Sequence, residues 1–318
     1  MGGTVEGVKI CNIQQVIKEV DDFIVIISSQ FETEIFELLK NYSLNVYKRP
    51  KYELFVEQML SFFVYKTTPV NERLNVYKWI GEYYDRWQNR EDVILSLMMD
   101  EESKDIVRKR VKFYQTGELK YIMEMPINKN QYFDREYYYD IGNSESFIDC
   151  GAWRGDTIED FIKCVGNEYS KIYAFEPDRK NFEELVKYQN KKINVYNYAT
   201  GKADGQIYFS ELGTTGSFVT DNGEISIEVK CLDNLISDKV TWIKMDIEGT
   251  EYDTLQGLER IIKTYKPKLA VCIYHKCEDM FQLPIYIHKL VPEYSFKIRQ
   301  HDENIFDTVL YADIYENE

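Results

Sequence analysis

The chain has 318 residues, and its 39 basic and 54 acidic side chains leave a net charge of −15. At about 150 residues per domain, that length suggests two domains and enough chain for a sizeable core. An apolar fraction of 44% excludes wholesale disorder, and the acid excess excludes a general affinity for nucleic-acid backbones or anionic membrane surfaces, which need clustered Lys and Arg.

The six cysteines form no dense disulfide framework. No secretory leader is read before them, so reduced thiols and a cytoplasmic location are expected. The most apolar early run, Phe23–Ile27, is far shorter than the roughly twenty residues that a membrane helix needs. No membrane span and no nucleic-acid partner are expected.

Residues 1–50 read as a small α/β unit. Phe23–Ile27 has the continuous apolar character of a buried strand. Ser28 and Ser29 follow as helix caps, Phe31–Leu39 has helical spacing, and Leu44–Tyr47 is the next strand. One such unit is too small to close a sheet, so it is expected to dock on neighbouring elements or to continue a longer natural N-terminus. Residues 51–118 read as helical. Leu54, Phe55, Phe62 and Phe63 recur at helical spacing, Pro69 separates two helices, and Glu91–Tyr114 reads as one further helix ending at Gly117. The basic run Arg108-Lys109-Arg110, flanked by acids, is a solvated face. Residues 119–146, with five tyrosines, read as a connector. Residues 1–146 thus form an N-terminal accessory region, and residues 147–318 a second domain.

That second domain alternates strands and helices. Expected strands are 147–150, 171–175, 193–198, 241–245 and 269–274, with helices 157–164, 181–189 and 252–263 between them. This order argues for a parallel sheet covered on both faces, in a Rossmann-like α/β fold. Phe296–Arg299 and Thr308–Ala312 add a closing antiparallel hairpin.

Three strand tips carry chemistry. In Phe147-Ile-Asp-Cys-Gly-Ala-Trp-Arg-Gly-Asp-Thr157, a strand ends at Asp149 and the glycines at 151 and 155 make a tight turn into a helix. Such a turn lets backbone N–H groups approach a ligand. Glu176, at the tip of the next strand in Ala-Phe-Glu-Pro-Asp178, is placed to accept both hydroxyls of a ribose. The spacing Gly151-x-x-x-Gly155 departs from G-x-G-x-x-G, which weakens an NAD-dependent oxidoreductase reading and suits S-adenosylmethionine. In Trp242-Ile-Lys-Met-Asp-Ile-Glu-Gly-Thr-Glu251, Asp246 ends a strand and Lys244 alternates onto the same face, so the two are expected to pair. Asp246, Glu248 and Glu251 could hold a divalent ion such as Mg2+, but helix capping explains Glu248 and Glu251 without one. No metal is expected there, nor zinc at Cys272, His275 and Cys277, whose spacing lacks a fourth ligand.

These three motifs, followed by Tyr274-His-Lys-Cys-Glu-Asp279, resemble the FkbM family of S-adenosylmethionine-dependent methyltransferases over about residues 147–315. The resemblance implies a class I methyltransferase domain that methylates oxygen, often on a sugar or a polyketide-type hydroxyl. It implies that Asp149, Gly151 and Gly155, with Ala152, bind the methionine moiety, that Glu176 binds the ribose, and that Asp246 lies beside the methyl donor. Residues 1–146 fall outside it, so the acceptor does not carry over. From residue chemistry, His275 at the sheet's carboxyl edge reads as a base or an acceptor-orienting group, Asp246 as the rival base, and Lys244 as a group that orients the acceptor or tunes Asp246. Thr214, Thr215 and Ser217 read as a polar loop. The expected partner is a small-molecule or saccharide acceptor, with a homodimer contact or pocket wall supplied by the N-terminal half. The rival readings are the NAD-dependent oxidoreductase and a non-catalytic module whose N-terminal helices bind a protein.

Overall fold

The computed structural model describes residues 90–315 except 117–119, 143, 211–217, 220–224 and 303–305, together with Trp87 and four short strands near the N-terminus. The expected helix over 31–39, those expected between 51 and 86, and the loop residues Thr214, Thr215 and Ser217 lie outside the described residues. By its contacts the chain divides into two compact units, residues 1–65 and 66–318; the expected boundary at 146/147 lies inside the second.

In the first unit, β1 (Gly3–Val5) pairs antiparallel with β2 (Val8–Ile10). β3 (Ile24–Ile27) pairs parallel with β4 (Asn45–Lys48), the pairing a strand–helix–strand unit gives.

The second unit begins with α1 (Glu91–Leu97) and α2 (Glu101–Thr116). The expected single helix over 91–114 is therefore two. Met99 N–H donates to the carbonyl of Phe296, and Asp100 starts the new helix by accepting the Ser103 N–H at 2.8 Å.

The main sheet then follows. β5 (Ser146–Cys150), β6 (Lys171–Phe175) and β7 (Ile193–Tyr196) alternate with α3 (Asp156–Val165) and α4 (Arg179–Leu185). Both β7 and α4 stop short of their expected ends at 198 and 189. The chain next builds a side sheet from β8 (Ala199–Thr200), β9 (Gly205–Ser210), β10 (Phe218–Val219) and β11 (Ile225–Lys230). It returns through β12 (Trp242–Met245), α5 (Glu251–Gln256), α6 (Glu259–Tyr265), β13 (Lys268–Cys272), α7 (Asp279–Leu290), β14 (Ser295–Gln300) and β15 (Thr308–Asp313). The expected helix over 252–263 is also two. Asp233 caps the second by accepting the N–H groups of Arg260 and Ile261 at 2.6 and 3.0 Å.

The seven strands lie in the order β14-β15-β13-β12-β5-β6-β7. The five from β13 to β7 are parallel, while β15 runs antiparallel to both β13 and β14. Every residue of β5 and β12 is buried, as a sheet covered on both faces requires. On one face Phe133, Phe147, Phe161 and Trp242 form an aromatic core, with Phe147 stacked on Phe161 at 4.5 Å and Phe133 edge-on to Trp242 at 5.3 Å. At the hairpin edge α2 packs on β14, and Ser103 Oγ accepts the Ile298 N–H at 2.8 Å. Chain order turns back between β5 and β12, with β6 and β7 to one side and β12 and β13 to the other. In open α/β sheets ligands bind in the crevice at the carboxyl ends of such strands.

Candidate active site

The turn after β5 is built by backbone constraint. The N–H groups of Gly151 and Ala152 both donate to the Phe175 carbonyl at 3.0 Å, fastening the turn to the tip of β6. Gly151 has φ +79°, and a Cβ there would stand 1.9 Å from the main-chain oxygen of Asp246. Only glycine lets the tips of β5 and β12 approach so closely. Gly155, at φ +96°, opens α3 where a Cβ would strike the Tyr188 ring at 2.5 Å.

Glu176 stands just past β6, with 6% of its surface exposed. Its Oε2 accepts the Trp153 N–H at 2.9 Å and its Oε1 the Asp178 N–H at 2.8 Å. Burial pushes the carboxyl up to about 7, partly offset by those two bonds. Asn197 braces the segment by donating to the carbonyls of Glu176 and Pro177.

Lys244 departs from its expected partner. It lies opposite Asp149 in the β12–β5 register, and its Nζ sits 3.2 Å from Asp149 Oδ1 while donating to the Gly151 carbonyl at 2.7 Å. The pair it forms is thus with Asp149, and its effect on Asp246 acts through space. Asp149 is fully buried, and burial pushes it up to about 6, against the pull of Lys244. Asp149 and Lys244 therefore face one another beneath the glycine turn.

Asp246 keeps a quarter of its side chain exposed at the tip of β12. Tyr132 donates to its Oδ2 at 3.0 Å and Tyr274 to its Oδ1 at 3.1 Å. His275 Nε2 lies 3.3 Å from Oδ1. Burial acts to raise the carboxyl, but His275, Lys244 and Tyr132 outweigh it and hold Asp246 well below the ordinary carboxylate range. His275 is itself sealed, 3% exposed, with Nδ1 2.7 Å from Glu251 Oε1 and Nε2 3.8 Å from Glu248 Oε2. Burial would lower its pKa; Glu251 and Asp246 raise it well above the ordinary histidine value instead. The imidazole is thus held charged, which suits orienting Asp246 better than taking a proton.

The structure brings Gly151, Ala152, Asp149, Lys244, Asp246 and His275 together around the β5/β12 switch, with Glu176 one strand over at the β6 tip. Four further residues join them that sequence reasoning did not place in the site. Tyr132 comes from the connector and is half-buried at φ +65°; only its place among clustered tyrosines marked it. Tyr274 stood inside the quoted motif without a role. Glu251 was read as a helix cap. Asp307 precedes β15 at φ +55°, next to Phe306, whose ring stands edge-on to Tyr274 at 5.9 Å. Burial and the charge of Asp246 push its carboxyl up to about 6.

The donor set selects among ligands. Glu176 and Asp246 offer carboxylate oxygens, Lys244 is taken up by Asp149, and Arg154 of the turn donates to Asn181 at 3.1 Å. This arrangement suits ribose hydroxyls and a cationic group better than a diphosphate. Among the described residues no group of three or more His, Cys, Asp or Glu side chains is arranged to hold a metal ion. Cys272 meets Tyr132 at 3.6 Å while His275 faces carboxylates. A separate cavity of about 400 Å³, lined by Ser146, Ser170, Thr241 and Lys268 among others, opens at the amino ends of the strands, away from every motif residue. No described helix is long and apolar enough to cross a membrane.

The model of the methyltransferase FkbM domain matches residues 149–304. Among solved structures, methyltransferase FkbM from Methylobacillus flagellatus KT is 22% identical, with 96% of this chain and 78% of that chain covered at a TM-score of 0.68. At that identity the likeness speaks to the fold. A putative rRNA-methylase from Clostridium thermocellum is 12% identical over 56% of this chain and 90% of its own, with a TM-score of 0.37. Aeropyrum pernix fibrillarin, solved with natively bound S-adenosyl-L-methionine, is 10% identical over 54% of this chain and 66% of its own, with a TM-score of 0.34. No curated protein matches the chain.

Proposed function

Because residues 149–304 match the model of the methyltransferase FkbM domain, we propose that the chain transfers a methyl group from S-adenosylmethionine to a hydroxyl of a small molecule, with a sugar, nucleotide sugar or glycan precursor as the acceptor class. The observation that supports the cofactor is the acidic, glycine-turned crevice at the β5/β12 switch, with Glu176 one strand over. Glu176 would hold the ribose, the turn from Gly151 to Gly155 the methionine moiety, and Asp246 would lie on the methyl side. S-adenosylmethionine supplies an electrophilic methyl group on a cationic sulfur.

The chain's own residues then align and deprotonate the acceptor. Asp246, anionic and partly exposed, accepts a hydrogen bond from the acceptor hydroxyl and fixes its direction, a positioning effect. His275 and Tyr274 hold Oδ1 still, and Tyr132 holds Oδ2. The acceptor proton passes to a carboxylate. Asp307, raised towards neutrality, is better matched to that task than Asp246. Lys244 keeps the turn and Asp149 in place. Residues 1–146 would supply the acceptor side or a homodimer contact; among the described residues before 147, Tyr132 reaches Asp246.

The test is transfer of labelled methyl groups from S-adenosylmethionine to a panel of sugars, nucleotide sugars and lipid-linked glycans. An alkali-stable methyl ether on one of them is expected, and Asp246→Asn should lower turnover by about 10²-fold while retaining the cofactor, the scale of a lost positioning contact. Label recovered only on nitrogen or carbon would overturn the O-methyl assignment. Equal turnover in the variant would remove Asp246 from it.

A further inference from the structure

Glu251 does not cap its helix. At the first residue of α5 its Oε1 accepts the Ile247 N–H at 3.1 Å, which fastens the turn between β12 and α5. Yet the side chain is fully buried, and Oε2 makes no hydrogen bond. A buried carboxylate is costly unless a charge or hydrogen bonds compensate it. The compensating group is His275, whose Nδ1 lies 2.7 Å from Oε1 and whose other nitrogen faces Asp246 at 3.3 Å. The three side chains make a carboxylate–imidazole–carboxylate line, sealed at Glu251 and open only at Asp246.

We propose that Glu251 is a positioning residue that, through His275, keeps Asp246 anionic and oriented towards the bound cofactor and acceptor. A carboxylate at Nδ1 fixes the ring's orientation and directs Nε2–H at Asp246. The imidazolium then carries the charge that stabilises both carboxylates. The inference rests on the methyl-transfer reading of this site. The other charged groups facing His275 are Glu248 at 3.8 Å from Nε2, Asp279 and Lys276 on the segment that follows it, and Asp307 from the hairpin. Glu248 is exposed, while Asp279 accepts the Lys276 N–H at 3.0 Å. Glu251 approaches Nδ1 from within the core, at 2.7 Å.

The chain has three histidines, His275, His288 and His301, so carbon-13 labelling of histidine resolves each by NMR, with His275→Gln giving the assignment. In the wild type, the His275 signal should stay that of the charged ring well above the pH at which free histidine loses its proton. In Glu251→Gln its midpoint should fall by at least one pH unit, a tenfold change in protonation ratio. The affinity for S-adenosylmethionine, measured by calorimetry at pH 7.5, should weaken at least threefold. A wild-type midpoint in the ordinary histidine range, an unmoved midpoint in the variant, or unaltered affinity would each overturn the proposal. If Glu251→Gln does not fold, the wild-type midpoint and its fall in Asp246→Asn decide instead. Failure of the methyl-transfer reading shows separately, as a wild-type protein that does not bind S-adenosylmethionine at all, whatever its histidine does.

Discussion

In its proposed ribose-binding role, the buried carboxyl of Glu176 ties cofactor affinity to pH. Burial raises it to about 7, so at pH 6 most of it is protonated in the free protein. Ribose hydroxyls are best accepted by the ionised form. Affinity for S-adenosylmethionine should therefore rise with pH through 7 and level off above 8, being about tenfold weaker at pH 6 than on the plateau. Calorimetry across that range checks this, and Glu176→Gln should give weak binding with a flat profile. The residues of the three strand-tip motifs were legible in the sequence because each sits at a fixed place, a strand end followed by glycine or proline. Their partners were less so. Lys244 shares a face with both Asp149 and Asp246, and only the β12–β5 register decides for Asp149. Tyr132 and Asp307 reach the site from more than a hundred residues apart, and no local pattern ties them to it.

Elements were readable where periodicity and end signals agreed. β6 falls on its expected span, and α3 lies within one residue of it at each end. Helices that contain a break were misread because apolar spacing continues across it. The break after α1 depends on Met99 meeting β14, a contact that no window of residues 91–114 contains. α2 is held to the sheet edge there, by Asp100 bonding both Arg299 nitrogens at 3.2 and 2.8 Å besides capping the helix. Asp100→Ala should cost about 2 kcal/mol in urea unfolding, roughly half from the lost cap and half from the lost ion pair. Arg299 keeps Glu102 at 3.5 Å, which limits the loss. The helix covers what would otherwise be an open strand edge, so the variant should also be more prone to aggregate.

Across the whole molecule, charge follows function. Residues 1–146 hold 19 basic and 24 acidic side chains, while residues 147–318 hold 20 and 30. The net −10 of the second part includes the carboxylates Asp149, Glu176, Asp246, Glu251 and Asp307, four of them within the sealed or half-sealed surroundings of one crevice. A surplus of acid there suits a cationic cofactor and disfavours polyanions. The α/β class was legible from the alternation of strands and helices. α1, α2 and the connector read in the sequence as a separate helical region, while contacts group them in one compact unit with the sheet. The most direct test of the account is calorimetric titration of the full chain with S-adenosylmethionine, beside Glu176→Ala. The account predicts one site per chain in the wild type and at least tenfold weaker binding in the variant. No binding in the wild type, or equal binding in both, would contradict it.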